Sequence, residues 1–195
     1  MPADSLAWDT LESDVAYSCP GFDIITQTVR LPDGTTTDFD YLSEPASVCI
    51  LPFVADGAEG GTGDDESADA RVVCIEEWRK AVGRRNRGLP VGTTEPDDET
   101  LEAAARRELA EETGYVAADL EPLVTVEPAN GLADSVMHFF VAHGCEPAGD
   151  QRLDHDESIS VAPMRYAELL EAVREGEIRD GRTVLAVAYY QLLRE

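Results

Sequence analysis

Nine residues near the middle of the chain, R-R-E-L-A-E-E-T-G from Arg106 to Gly114, hold three carboxylates and two guanidiniums just before a glycine. Such a stretch has two ordinary uses, as a solvated helix end in an acidic protein or as a set of oxygen ligands for a metal. A helical wheel at about 100° per residue separates the two. With Leu101 at zero, Ala105 falls at about 40°, Glu108 at about 340°, Glu112 at about 20°, and Glu111 at the margin at about 280°. Glu108 and Glu112 therefore share a face with Leu101 and Ala105, while Ala103, Arg106, Ala110 and, toward its edge, Arg107 occupy the opposite side. A helix end built for water would reverse these assignments. Like charges at i, i+4 repel, and burying either carboxylate costs several kcal/mol without a positive partner. A hard divalent cation such as Mg2+ or Mn2+ takes oxygen ligands, keeps waters for a substrate's phosphate oxygens, and supplies that partner.

The elements around this helix can be read from local chemistry. Thr100 is the expected N-cap and Gly114 the stop of a helix from about Thr100 to Thr113. F-D-I-I-T-Q-T-V-R-L (22–31) and T-T-T-D-F-D-Y-L (35–42) read as two strands joined by a Pro-Asp-Gly turn. A-S-V-C-I-L-P-F-V (46–54) and R-V-V-C-I-E-E-W (71–78) are apolar enough for central strands. The acidic, glycine-rich run between them, 55–70, has almost nothing to bury and reads as a surface insertion that tolerates deletion. Further strands are expected at 121–127, 136–143 and 158–162, and helices from about Pro163 to Glu175 and from Asp180 onward. Strands and helices in this mixed order indicate an α+β layered domain.

Composition excludes several classes of partner. At 195 residues the chain fits one domain, or one with a small appendage, and 43% hydrophobic residues suffice for a core. A formal net charge of -25 argues against nucleic-acid and anionic-membrane binding, because a carboxylate-rich surface repels phosphates. Any phosphate-bearing ligand needs a local exception. Trp78 to Arg87, W-R-K-A-V-G-R-R-N-R, offers one with five of the chain's 15 positive residues. Lys80 is the chain's one lysine, and many carboxylates with almost no lysine resemble the proteins of salt-accumulating halophiles. No apolar run reaches the ~20 residues that span a bilayer, and the acidic start is unlike a signal peptide, so a soluble cytoplasmic protein is expected. Cys19, Cys49, Cys74 and Cys145 form no C-x-x-C pair; Cys49 and Cys74, inside apolar runs, read as core residues.

The span from Gly92 to Tyr115 resembles the signature of the Nudix hydrolases, G-x5-E-x7-R-E-U-x-E-E-x-G-U with U a bulky apolar residue. Glu99, Arg107, Glu108, Leu109, Glu111, Glu112, Gly114 and Tyr115 match, with Tyr115 accepted as U, and six residues rather than five separate Gly92 from Glu99. Beyond the box, V-V-C-I-E-E-W-R-K-A-V-G-R (72–84), G-L-P-V-G (88–92), Pro128, L-D-H-D-E-S (153–158) and G-E-I-R-D-G-R-T (176–183) are similar to the ADP-ribose pyrophosphatase branch. Gly88 departs from that pattern, where a glutamate is usual. The resemblance implies an α/β/α sandwich with a mixed sheet, residues 45–195, preceded by a small antiparallel β subdomain, about 1–44, that can be exchanged across a homodimer.

It also implies roles. Glu108 and Glu112 would be the principal Mg2+ (or Mn2+) ligands, helped by Glu111 and the backbone carbonyl of Val91, and Arg107 would pair with a carboxylate of the box, Glu99. Glu157, on a loop able to close over substrate, would be the base, with Glu111 as the alternative. Asp154, His155 and Asp156 read as solvated loop residues. Arg79 would contact substrate phosphate, and Trp78 would stack a base or else belong to the core. The reaction implied is metal-dependent hydrolysis of the pyrophosphate of ADP-ribose or a nucleoside diphosphate sugar. The alternatives are dinucleoside polyphosphates or oxidised nucleotides as substrates, and a sensor that binds ADP-ribose without cleaving it.

Overall fold

The computed structural model describes residues 6–55, 70–155 and 157–194, so Asp156 and nearly all of the insertion expected at 55–70 lie outside the described residues. The chain divides into two compact units, Met1–Ala46 with Val126–Val136, and Ser47–Thr125 with Met137–Glu195.

In the first unit, β1 (Asp9–Cys19), β2 (Phe22–Arg30) and β3 (Thr36–Ser43) form an antiparallel sheet in chain order. The expected turn between β2 and β3 is present: Gly34 adopts φ 87, and the Asp33 carboxylate accepts from the Thr35 N–H at 2.8 Å. β1 was not expected from the sequence. Its Leu11, Val15 and Tyr17 are exposed, so pairing with β2 rather than burial holds it, and periodic burial leaves no trace of it. The segment 126–136 is laced to the end of β3, with Leu42 N–H donating to Leu132 O at 2.9 Å and Ser43 Oγ to Asp134 Oδ2 at 2.8 Å.

The second unit runs β4 (Ser47–Val54), β5 (Arg71–Val72), β6 (Ile75–Arg79), a 3-10 turn (Lys80–Val82), β7 (Arg84–Gly88), β8 (Val91–Thr93) and α1 (Leu101–Thr113). It continues with β9 (Tyr115–Val116), β10 (Asp119–Val126), β11 (Met137–Pro147), β12 (Ile159–Val161), β13 (Met164–Arg165), α2 (Tyr166–Arg174) and α3 (Gly181–Leu192). β4 is buried almost throughout and lies parallel to β11 and antiparallel to β5 and β8, which makes the main sheet mixed. α1 and α3 both pack on β4. Ala104, Ala105 and Leu109 of α1 bury against Val48, Ile50, Val73 and Phe140, and Cys49 and Cys74 are core residues as their surroundings suggested.

Two expected elements need correction. The strand expected over 71–78 is two strands in different sheets, because the chain bends at Val73 and Cys74. Val73 N–H donates to Pro52 O, Cys74 O accepts from Ala162 N–H, and β6 continues between β12 and β7. The helix expected from Pro163 begins at Tyr166 instead, since Met164 and Arg165 pair with Val72 and Arg71. The helix caps fall where cap chemistry put them. Thr100 Oγ1 accepts from Ala103 N–H at 3.0 Å, Gly114 closes α1 at φ 73, and the Asp180 carboxylate accepts from Thr183 N–H at 3.1 Å. Among the described residues no helix is long and apolar enough to cross a membrane.

Candidate functional site

The inner face of α1 carries Ala104, Ala105, Glu108, Leu109, Glu112 and Thr113, all buried. Two carboxylates thus stand one turn apart on the core side of the helix, Glu108 at 8% and Glu112 at 2% exposure, as the wheel required. Leu101, placed on the same face, is 38% exposed. β8 supplies the floor. Val91 N–H donates to Glu112 Oε2 at 2.9 Å, and Gly92 lies so close to Glu108 that a Cβ there would be 1.9 Å from its carboxyl carbon. Burial pushes the Glu112 carboxyl up to about 8 against the Val91 hydrogen bond, and the charges of Glu108, Glu157 and Glu77 add to the rise. Burial likewise lifts Glu108 to about 7 although Arg107 pulls it down, and Glu111 and Glu157 push further.

Arg107 is the positive centre of the cluster. It donates to Asp98 through Nε (3.1 Å) and Nη2 (3.0 Å), to Glu108 (2.8 Å) and Glu111 (3.1 Å) through Nη1, and to Thr93 O at 2.8 Å. The expected partner Glu99 is not among these: it is exposed, and Asp98 takes its place. Five residues counted from Gly92 lead to Asp98, whereas seven counted back from Arg107 lead to Glu99. The geometry places the extra residue after the carboxylate, in the lead-in to α1. Asp98 is held low first by its Arg107 hydrogen bond, while its carboxylate also caps the Glu95 N–H at 2.7 Å. Asp98→Asn is therefore expected to lower stability by about 1–3 kcal/mol, roughly 3–10 °C in Tm, and Glu99→Gln to change it by less than about 0.5 kcal/mol. Thermal melts of the two variants side by side check this.

The acidic loop after β11 is stitched to the end of α1. Ala148 N–H donates to Gly114 O at 2.8 Å, Gln151 Nε2 to Glu112 O at 2.5 Å, and Arg152 N–H to Glu111 O at 2.9 Å. Farther along, Glu157 is exposed and folds back to accept from Asp154 N–H at 3.0 Å. Its charge nevertheless acts on both Glu108 and Glu112. Glu111 has an arginine on each oxygen, Arg107 on Oε2 and Arg152 at 3.8 Å from Oε1. Gln151 escaped the sequence reading, since a lone amide in a loop carries no pattern.

On β6, Arg79 and Trp78 occupy opposite faces of the strand. Arg79 shares the inner row with Ile75 and Glu77, and its Nε donates to Glu77 Oε1 at 2.6 Å. Trp78 is 56% exposed and is not a core residue; it lines an open depression of about 420 Å³ with Arg85, Leu153, Ser158 and Ser160. Arg85 and Arg87, also on the outer row, share the single Glu76 carboxylate, so the basic run is only partly neutralised.

Behind Glu77, Arg182 donates Nε–H to Asp180 Oδ1 at 2.9 Å. Burial opposes both charges of that pair, yet their mutual attraction wins, lowering Asp180 and raising Arg182. Gly88 fits this arrangement: a Cβ there would lie 2.7 Å from Thr183 Oγ1 and 3.2 Å from Asp180 Oδ2. Space that a glutamate at 88 would take is filled from α3, and Glu77 provides a carboxylate from the neighbouring strand. From sequence Asp180 is legible only as the start of the last helix, and Arg182 and Glu77 carry no signal, because the approach of Arg182 to Glu77 that joins them spans more than a hundred residues.

Among the described residues, no three His, Cys, Asp or Glu side chains already converge as a ligand cage. Glu108 and Glu112 nonetheless fit a hard cation. Both are buried oxygen donors whose charged forms are disfavoured as the protein stands.

A family model described as the NUDIX domain matches residues 62–186. Over 189 residues the chain is 28% identical to the ADP-ribose pyrophosphatase of Bacillus subtilis (strain 168), spanning 96% of this chain and 95% of that one. It is 27% identical over 184 residues to the methanol dehydrogenase activator of Bacillus methanolicus, spanning 94% and 92%. With a GDP-mannose pyrophosphatase of Salmonella paratyphi B it shares 37% identity over 131 residues, 64% of this chain and 69% of that one. A solved structure described as an ADP compounds hydrolase superposes with a TM-score of 0.78 at 22% identity, covering 98% of this chain and 96% of the other. At that identity the likeness speaks to the fold, an α/β/α sandwich with a small antiparallel amino-terminal sheet, which is the fold class expected from the sequence.

Proposed function

The chain belongs to the Nudix family of pyrophosphohydrolases, and from that premise we propose that it hydrolyses the pyrophosphate bond of ADP-ribose or a related nucleoside diphosphate sugar, with Mg2+ or Mn2+ as cofactor. The observation that carries the reading is the buried pair Glu108 and Glu112, whose charges have no sufficient counterweight in the protein. A cation held by Glu108, Glu112, Glu111 and the Val91 carbonyl would neutralise phosphate charge and acidify a water.

The chain's own residues do the rest. Arg79 faces inward with its terminal nitrogens open and suits bidentate contact with a phosphate. Arg107 holds Glu108, Glu111 and Asp98 in register. Glu157 is the better candidate for the base than Glu111. It is exposed and within electrostatic reach of both buried glutamates, whereas both oxygens of Glu111 face arginines. Glu157 takes the Asp154 N–H through Oε2, which leaves Oε1 to accept a proton from water. Neither departure from the family pattern removes a charge the chemistry needs. The longer loop still brings Asp98 to Arg107, and Gly88 makes room for Asp180 and Thr183, which favours hydrolysis over a purely binding role. The exposed Leu11, Val15 and Tyr17 of β1 support pairing of two copies through the amino-terminal sheet.

Incubation with ADP-ribose, GDP-mannose, a dinucleoside polyphosphate and an oxidised nucleotide, each with Mg2+ in high salt, tests the reading. Release of AMP and ribose 5-phosphate from ADP-ribose, or the corresponding products from a nucleoside diphosphate sugar, is expected. Tight binding of one compound without turnover of any would turn the assignment into a sensor.

A further inference from the structure

Glu77 is an anomaly in this site. It is 8% exposed, and its charge adds to the repulsion on Glu112 in a place that must admit a pyrophosphate. A buried carboxylate survives there only if it does something for a cation. Its Oε1 takes the Nε–H of Arg79 at 2.6 Å and lies 3.6 Å from Nη2 of Arg182. Arg182 is itself fixed, through Asp180 Oδ1, to a group whose other oxygen accepts from the Thr183 hydroxyl at 2.7 Å. That hydroxyl accepts from Leu89 N–H at 3.0 Å, which ties the assembly to the chain leading into β8.

A guanidinium is planar, so a short bond at Nε sets the direction of both terminal nitrogens. Among the described residues, neither Nη1 nor Nη2 of Arg79 has a hydrogen-bond partner, and the side chain is 40% exposed. Without Glu77 the same arginine would sample many rotamers and lose that freedom each time a ligand bound. Electrostatics alone would favour removing Glu77, since a neutral residue would make the site more welcoming to phosphate. Geometry favours keeping it.

We propose that Glu77 is a positioning residue whose buried carboxylate pins Arg79 by Nε, so that the two terminal nitrogens are aimed at substrate phosphate oxygens before substrate arrives. Arg182 and Asp180 stand behind Glu77 and keep it from swinging away. The aim toward phosphate rests on the pyrophosphohydrolase reading of the site; the clamp itself does not.

Two measurements on full-length protein test it. In 15N spectra, the Arg79 Nε–H signal, assigned by its loss in Arg79→Lys, is expected to exchange slowly in the wild type and quickly in Glu77→Leu, which keeps the side chain's size and removes the acceptor. In steady-state assays with the best nucleoside diphosphate sugar, Glu77→Leu is expected to raise KM about tenfold or more with kcat within about threefold. The Glu77→Leu/Arg79→Lys double variant should be no weaker than Arg79→Lys alone. Glu76→Gln, on the outer row, serves as the control and should leave both constants unchanged. A rapidly exchanging Arg79 signal in the wild type, an unaltered KM in Glu77→Leu, or additive effects in the double variant would each overturn the proposal. If the wild type cleaves no nucleoside diphosphate sugar, the activity reading fails, and the clamp stands or falls on the arginine signal.

Discussion

Glu112→Gln is expected to lower kcat by about 10³-fold while making the metal-free protein more stable at about pH 8. The two effects have one cause. Glu112 is 2% exposed, and burial has moved its carboxyl from 4.5 to about 8. A carboxyl whose folded pKa lies above its unfolded value contributes stability that is full below the unfolded value and is lost as the pH rises through the folded one. Between about pH 4.5 and pH 8 the wild type therefore becomes progressively less stable without a cation, by an amount on the order of a few kcal/mol. Glutamine has no such dependence, and its carbonyl can still accept from Val91 N–H, so the fold keeps its contact. Melts in a chelator at about pH 5 and about pH 8 should show the variant's advantage only at the higher pH. Added Mg2+ should raise the wild-type Tm more than that of the variant. A variant with wild-type rate would remove Glu112 from the ligand set, and one that melts lower at about pH 8 would show that burial is not what destabilises the native carboxylate.

The functional helix was legible for physical reasons that are local. A cap is decided by one side chain and one backbone conformation, and Thr100 and Gly114 supply both within the segment itself. The buried face was legible because two glutamates fell on the same arc as Ala105, which sequence can register without knowing what packs there. What stayed hidden depends on distant partners. Asp98 and Glu99 are adjacent carboxylates, and only the conformation of the loop after β8 decides which one meets Arg107. β1 is an exposed strand sustained by its neighbour, and the bend at Val73 and Cys74 comes from bonds to Pro52, on β4, and to Ala162, just past β12. The clamp of Glu77 on Arg79 is a two-residue contact, yet its meaning comes from Arg182, more than a hundred residues later. Chemistry concentrated on one helix could thus be read early, and chemistry assembled across strands could not.

Gly92→Ala is expected to damage activity far more than stability. Gly92 pairs with Val48 in an ordinary antiparallel ladder, and its φ is outside the left-handed range, so alanine meets no backbone objection. What it meets is the Glu108 carboxylate, 1.9 Å from the added Cβ at the carboxyl carbon and 2.1 Å at each oxygen. No neighbour can remain at those distances. The carboxylate is the far end of a flexible side chain, so it swings aside at modest cost while the strand and the helix hold their places. In doing so it leaves the position that the close approach of Gly92 defines and stretches its 2.8 Å bond to Arg107. Glu108 would still be present and still charged, but aimed elsewhere, and displacement of a ligand by about 1 Å costs on the order of 10²-fold in rate. The expected outcome is a kcat lower by about 10²-fold with a Tm change of less than about 4 °C. Gly131→Ala, at a site with nothing within 4 Å of the added methyl, should leave both quantities unchanged. A Gly92→Ala protein that loses its fold would mean that β8 cannot yield and that the glycine serves packing. One that keeps both fold and rate would mean that Glu108 acts from a second position, and the assignment of its carboxylate to the metal would have to be redrawn.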